Sequence, residues 1–136
     1  MKAINAKAQT ILNTLTCDLG PENTHRKIDN GGTAFMAVSV DFLFECEAGK
    51  VFAFAHNFEQ NGDLIPDPDV EILVSAVDGR AYPTAIQYAT GTYNRVVFLE
   101  DGKIDRFAPR GQRDLATFVG TWFENIRRQQ GIKGTK

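Results

Sequence analysis

Apolar residues at Ile4, Ala8, Ile11, Leu12 and Leu15 recur at spacings of three, four and one, the stripe of a single helix face. Asn5, Lys7, Gln9 and Asn13 fall on the other side. The pattern predicts a helix over residues 3–16, inside an N-terminal segment 1–18 that closes before Gly20-Pro21. A second stripe, Leu115, Phe118, Val119, Trp122, Phe123 and Ile126, predicts a helix over residues 111–130. Asp114 is expected in its first turn and Arg127-Arg128 in its last, both matching the helix dipole. Gly131 is the expected stop, and 131–136 reads as a disordered tail. Trp122 lies mid-stripe and is expected to be buried.

Between the stripes the period changes to two. Residues 19–33 are polar and rich in turn formers and read as a loop, with His25-Arg26-Lys27 as a solvated cluster. From residue 35 to 47, Phe42, Phe44 and Cys46 are expected to point one way, with Asp41, Leu43 and Glu45 facing solvent. Residues 51–58 are apolar on both faces until His56: Phe52, Phe54, His56 and Phe58 on one, Val51, Ala53, Ala55 and Asn57 on the other. They predict a central strand covered on both sides, its small residues admitting a helix at close range.

Asn61-Gly62 is a tight-turn signal. Pro66 and Pro68 are expected to prevent continuous pairing there and to leave a stiff loop. Val70, Ile72, Val74 and Ala76 alternate as a further strand, and Asp78-Gly79 turns it back. Tyr82, Thr84, Ile86 and Tyr88 are expected to share one face. After a break at Gly91, residues 93–99 resume as a strand, Asp101-Gly102 turns, and 104–107 forms an edge. The result is one α+β domain over 1–136, with a meander of five or six antiparallel strands in 35–107 covered by two terminal helices, in two layers.

Ten phenylalanines indicate a core built on aromatic rings. A net charge of −2, from 15 basic and 17 acidic residues, disfavours bulk nucleic-acid binding. Cys17 and Cys46 form no CxxC pair and read as free thiols. The absence of a signal-peptide pattern and of a span-length apolar run predicts a cytoplasmic protein without a membrane partner.

The candidate chemistry gathers between residues 56 and 71. His56, Asp63, Asp67, Asp69 and Glu71 could converge on a divalent metal, carboxylates suiting hard cations and a histidine suiting zinc or manganese. Calcium-loop spacing is not met. The competing reading is that Asp63 and Asp67 cap backbone N–H groups of a proline-stiffened turn. A nuclease arrangement would need Asp67 or Asp69 to meet Asp101-Gly-Lys103, which sits at a hairpin tip. Nothing marks a nucleophile elbow or a phosphate loop. Tyr82, Tyr88 and Tyr93 with Arg95 could stack bases, but tyrosines that cover a sheet face or an interface are the commoner case, and a dimer interface is the preferred reading.

His56, Glu59-Gln60-Asn61-Gly62-Asp63-Leu64 and Asp67-Pro68, followed by Tyr82-Pro83, Ile86-Gln87-Tyr88 and Gly91-Thr92-Tyr93, resemble a family of small proteins of unknown function encoded by phages, plasmids or integrative elements. The resemblance spans residues 51–99. It implies a mobile-element setting and a signature loop, with His56, Glu59, Asn61, Gly62, Asp63, Asp67 and the three tyrosines as binding candidates. The expected function is a non-enzymatic accessory protein that acts through contacts with a protein partner, anti-defence activity being one such role, with no cofactor. The alternative is a metal-dependent hydrolase or nuclease using the His56, Asp63 and Asp67 loop, with Asp69 as a further metal candidate.

Overall fold

A computed structural model describes residues 1–30 and 35–132. The elements run α1 (Ala6–Thr16), β1 (His25–Ile28), β2 (Ala37–Cys46), β3 (Gly49–Gln60), β4 (Asp63–Ser75), β5 (Ala81–Gln87), β6 (Tyr93–Arg95), β7 (Val97–Glu100), β8 (Lys103–Phe107) and α2 (Pro109–Gln130). Strands β1 to β6 form a six-stranded antiparallel sheet in sequence order, and β7–β8 is a separate two-stranded sheet. The fold is the expected α+β meander between two helices. Parts of the expected 19–33 loop and 131–136 tail, namely 31–33 and 133–136, lie outside the described residues.

One face of the large sheet carries the core. Val38, Val40 and Phe42 from β2, Phe52 and Phe54 from β3, and Val70 and Ile72 from β4 pack with Ile11, Leu12 and Leu15 of α1 and Val119, Phe123 and Ile126 of α2. Phe54 meets Phe123 with ring centroids 5.1 Å apart, and Phe42 meets Phe52 edge-on at 5.6 Å. Both helices therefore cover the phenylalanine side of β3. The opposite, alanine side receives no helix, contrary to the expectation from its small residues. Rings fill the space beneath a helix; alanines leave a floor.

Asn5 caps α1, its side-chain oxygen accepting from Ala8 N–H at 2.8 Å. Helix α2 starts two residues before the expected position, with Pro109 in its first turn, so Asp114 is not in that turn. Arg127 and Arg128 do sit in the last turn, and Gly131 ends the helix in a left-handed conformation.

The remaining departures come from sheet irregularities. His25–Ile28 pairs with β2, where a loop was expected. A bulge between Phe42 and Phe44 makes Leu43 an extra residue, so Phe44 lies opposite Val51 rather than sharing the side of Phe42. One inserted residue flips every side chain that follows. The same happens in β5, where Ile72 pairs with Pro83 but Glu71 with Ala85. The expected common face of Tyr82, Thr84 and Ile86 is split accordingly.

The expected proline-stiffened loop is strand. β3 and β4 pair up to Gln60 and Asp63 around the two-residue turn Asn61-Gly62, both with positive φ. Pro66 pairs with Asn57, and the ladder is broken only by a bulge between Ala55 and Asn57. Finally, 93–99 is divided at Val96, whose N–H donates to Thr84 O as the chain leaves the large sheet.

Candidate functional site

The candidate metal and loop residues do not assemble. His56 faces the helices and is buried, with Nδ1 accepting the Trp122 indole N–H at 2.9 Å. Asp69 pairs with Ala55, the residue before His56, and so faces the opposite side of the sheet. Asp63 is exposed at the hairpin tip, and its carboxylate makes no hydrogen bond among the described residues. Asp67 accepts from Ala89 N–H at 3.0 Å, a backbone group 22 residues away rather than one of its own turn. No group of three or more His, Cys, Asp and Glu residues disposed to hold a metal occurs among the described residues. A layer of backbone separates the histidine from Asp69, which removes the geometric basis for the His56-centred metal site.

The binding candidates are likewise dispersed. Asn61 and Gly62 form the turn; the side chain of Glu59 lies outside what the structure describes. Tyr82 donates its hydroxyl to Asp78 at 2.6 Å. Tyr88 is exposed beside the turn closed by Gly91 N–H and Tyr88 O. Tyr93 alone of these joins a larger constellation, through its hydroxyl, which accepts from Arg95 Nε at 2.9 Å.

That constellation is the helix-free face. The strand register aligns two rows across all six strands. One runs His25, Asp41, Ala53, Glu71, Ala85, Arg95; the next runs Lys27, Ser39, Ala55, Asp69, Gln87, Tyr93. Lys27 and Arg95 stand on the edge strands with His25 and Tyr93, carboxylates stand between them, and three alanines form the floor. Further along the same face, the paired Val51 and Leu73 are fully buried. The β7–β8 tip is tied to that end by the bond from Ala48 N–H to Gly102 O, 2.7 Å long. The helix-free face is thus covered at one end and uncovered along the two rows.

Charge on this face is arranged with different degrees of compensation. Arg95 grips Glu71 with two nitrogens, Nη1 to Oε2 at 2.8 Å and Nη2 to Oε1 at 3.0 Å, and Thr84 adds its hydroxyl at 2.8 Å. Burial opposes ionisation of Glu71, but the bonds from Arg95 and Thr84 outweigh it and hold the carboxyl below its ordinary range. Asp41 meets His25 Nδ1 at 2.7 Å. Asp69 has no such partner among the described residues: burial first, then repulsion from Asp41 and Glu71, raises its pKa. Leu43, the bulged residue, stands 44% exposed beside this row, with Tyr93 53% exposed at its far end.

The rows were hidden from sequence reasoning. Ala53, Ala55, Glu71 and Asp69 each fit the period of their own strand, but only the register between strands brings them into line. Asp41, Glu71 and Arg95 were visible as alternating polar positions; their alignment was not.

The class defined by these features is an α+β protein with one helix-covered and one largely uncovered sheet face. The chain belongs to the family described as Domain of unknown function (DUF6908), whose model matches residues 1–132. No curated protein and no solved structure matches the chain. No helix among the described residues is long and apolar enough to cross a membrane.

Proposed function

We propose that this protein is a non-enzymatic binding module that engages a protein partner through the uncovered face of its sheet. The observation that carries this reading is the pair of six-residue rows, uncovered by either helix and flanked by exposed Leu43, Phe44 and Tyr93. Exposed aromatic and aliphatic side chains around a partly buried polar centre are the ingredients of a recognition surface. Among the described residues Asp41, Glu71 and Arg95 of this face are committed to ion pairs and hydrogen bonds within the sheet. The accessory role in a mobile genetic element, anti-defence included, belongs to this proposal and rests on the resemblance of residues 51–99.

The test compares four tagged baits in lysate of the native host. Wild type and a helix-side control, Thr121→Arg, are expected to retain the same partner in a fixed ratio. Leu43→Arg and Tyr93→Ala, both at exposed positions, are expected to lose it. Retention by the two open-face variants would assign binding elsewhere, and an empty wild-type bait would remove the reading.

A further inference from the structure

The centre of the uncovered face holds one carboxylate that nothing answers. Glu71 is clamped by Arg95, and Asp41 meets His25, whereas the Asp69 carboxylate is bonded to no cation or donor among the described residues. It borders a pocket of about 190 Å³ lined by Leu43, Ala53, Glu71, Ala85, Gln87 and Tyr93. That volume is below the roughly 300 Å³ at which sites for small-molecule ligands and cofactors begin. It suits one long side chain. The walls divide in the same way as such a chain does: Leu43 and the alanines are apolar, and Asp69 and Gln87 are polar.

Resting on the binding reading above, we propose that this pocket receives a lysine or arginine side chain projecting from the protein partner, its aliphatic stem along Leu43 and Ala53 and its charge on Asp69. Charge complementarity selects the occupant. Asp41, Glu71 and Asp69 stand on the middle strands of the face; Arg95 is already spent on Glu71, His25 meets Asp41, and Lys27, on the edge strand, is separated from Asp69 by Ser39 and Ala55. A phosphate or an acidic peptide would meet these acids with like charge. A second copy stacked face to face would set the same acids against one another. A long basic side chain buries its stem while its head finds a carboxylate, the division that lysine and arginine make at interfaces.

The inference is tested by nuclear magnetic resonance titration of the whole protein with blocked single amino acids. N-acetyl-lysine methylamide and its arginine counterpart are the probes, and the norleucine counterpart supplies the same stem without charge. The expected result is a saturable shift of the Ala53, Asp69 and Ala85 amides with both basic probes, absent with norleucine and lost in Asp69→Asn. Equal shifts with norleucine, or none with any probe, would overturn the proposal, and the wild-type comparison decides this even if the variant misfolds. A dimer that dissociates in Asp69→Asn would hand the pocket to a second copy and also overturn it. If Leu43→Arg and Tyr93→Ala abolish partner capture while Asp69→Asn leaves it intact, the binding module stands and the basic side chain falls.

Discussion

Trp122 donates its indole N–H to Nδ1 of His56, 2.9 Å away, deep between α2 and the sheet. The bond fixes the tautomer: Nδ1 accepts, so the proton of the neutral ring sits on Nε2. That Nε2 is buried and has no hydrogen-bond partner among the described residues. Burial lowers the His56 pKa below its ordinary value. A lowered histidine value means that the unfolded chain takes up a proton that the folded chain refuses. Stability is therefore complete above about pH 6.5 and is lost as pH falls from there toward the folded value. Melting temperatures measured from pH 8 to pH 5 are expected to fall across this window. His56→Asn, which keeps an acceptor close to the place of Nδ1 without titrating there, is expected to flatten the slope. An unchanged slope would locate the pH dependence in another group.

Removing the other partner tests packing. Trp122 is 5% exposed, stacks on Phe118 at 5.8 Å and touches the ring of Phe123. Trp122→Ala is expected to cost about 3–5 kcal/mol through lost transfer energy and a residual cavity. Trp122→Phe refills most of the volume but leaves Nδ1 of His56 without its donor, for about 1–3 kcal/mol. Urea unfolding of both variants checks the order; native tryptophan emission at water-like wavelengths in the parent would contradict the burial.

Asp69 and Glu71 sit two residues apart on one strand and are expected to respond in opposite ways. A raised carboxyl pKa contributes stability that is complete below the unfolded value and lost as pH rises through the folded one. Ionised Asp69 is thus a net burden at pH 7, and Asp69→Asn is expected to leave stability unchanged or to raise it, by under about 1 kcal/mol given the partial exposure. Glu71 is lowered, so its contribution is present at neutral pH and lost in acid. Arg95→Met strands that carboxylate and is expected to cost about 1.5–3 kcal/mol. A thermal-shift series in which Asp69→Asn is the more damaging of the two would refute this assignment of strain.

The hairpin acids also differ. Asp67→Ala removes the acceptor for Ala89 N–H and is expected to cost about 1 kcal/mol, with Asp67→Asn nearer wild type. Asp63 has no such bond among the described residues, so Asp63→Asn and Asp63→Ala are both expected within about 0.5 kcal/mol of wild type. A large loss in Asp63→Ala alone would show that it caps a group after all. Denaturant midpoints of the four variants are sufficient.

Helix stripes were legible because each depends on its own spacing. Leu115 to Ile126 could be read without knowing what lay opposite, and the glycine at 131 marked where the stripe ended. Turns were legible for the same reason: Asn61-Gly62 and Asp101-Gly102 occupy positive φ as their composition demands. Bulges were not. The extra residues at Leu43 and Thr84 obey no local composition rule, yet each reverses which side the following residues face. Pro66 and Pro68 misled because proline was taken to end pairing, whereas β4 carries them past a break in the ladder. The candidate site was misplaced as a direct result: proximity in sequence put His56 beside the acids, and the alternation of β3 put it on the other side.

The meander has a consequence in time. Every ladder of the large sheet joins neighbours in sequence, and the longest, β3 with β4, closes through a two-residue turn. The N-terminal segment instead waits for distant partners: Ile4 N–H bonds to Ala81 O, and Lys2 N–H to Gln112 Oε1, 110 residues away. Chain closure over such separations is slow relative to hairpin zipping. The sheet is therefore expected to acquire hydrogen-exchange protection first, in the amides of β3 and β4, with those of Lys2 and Ile4 protected last. Until that docking occurs, the side of the phenylalanines is open to the surroundings as well as the side of the acids.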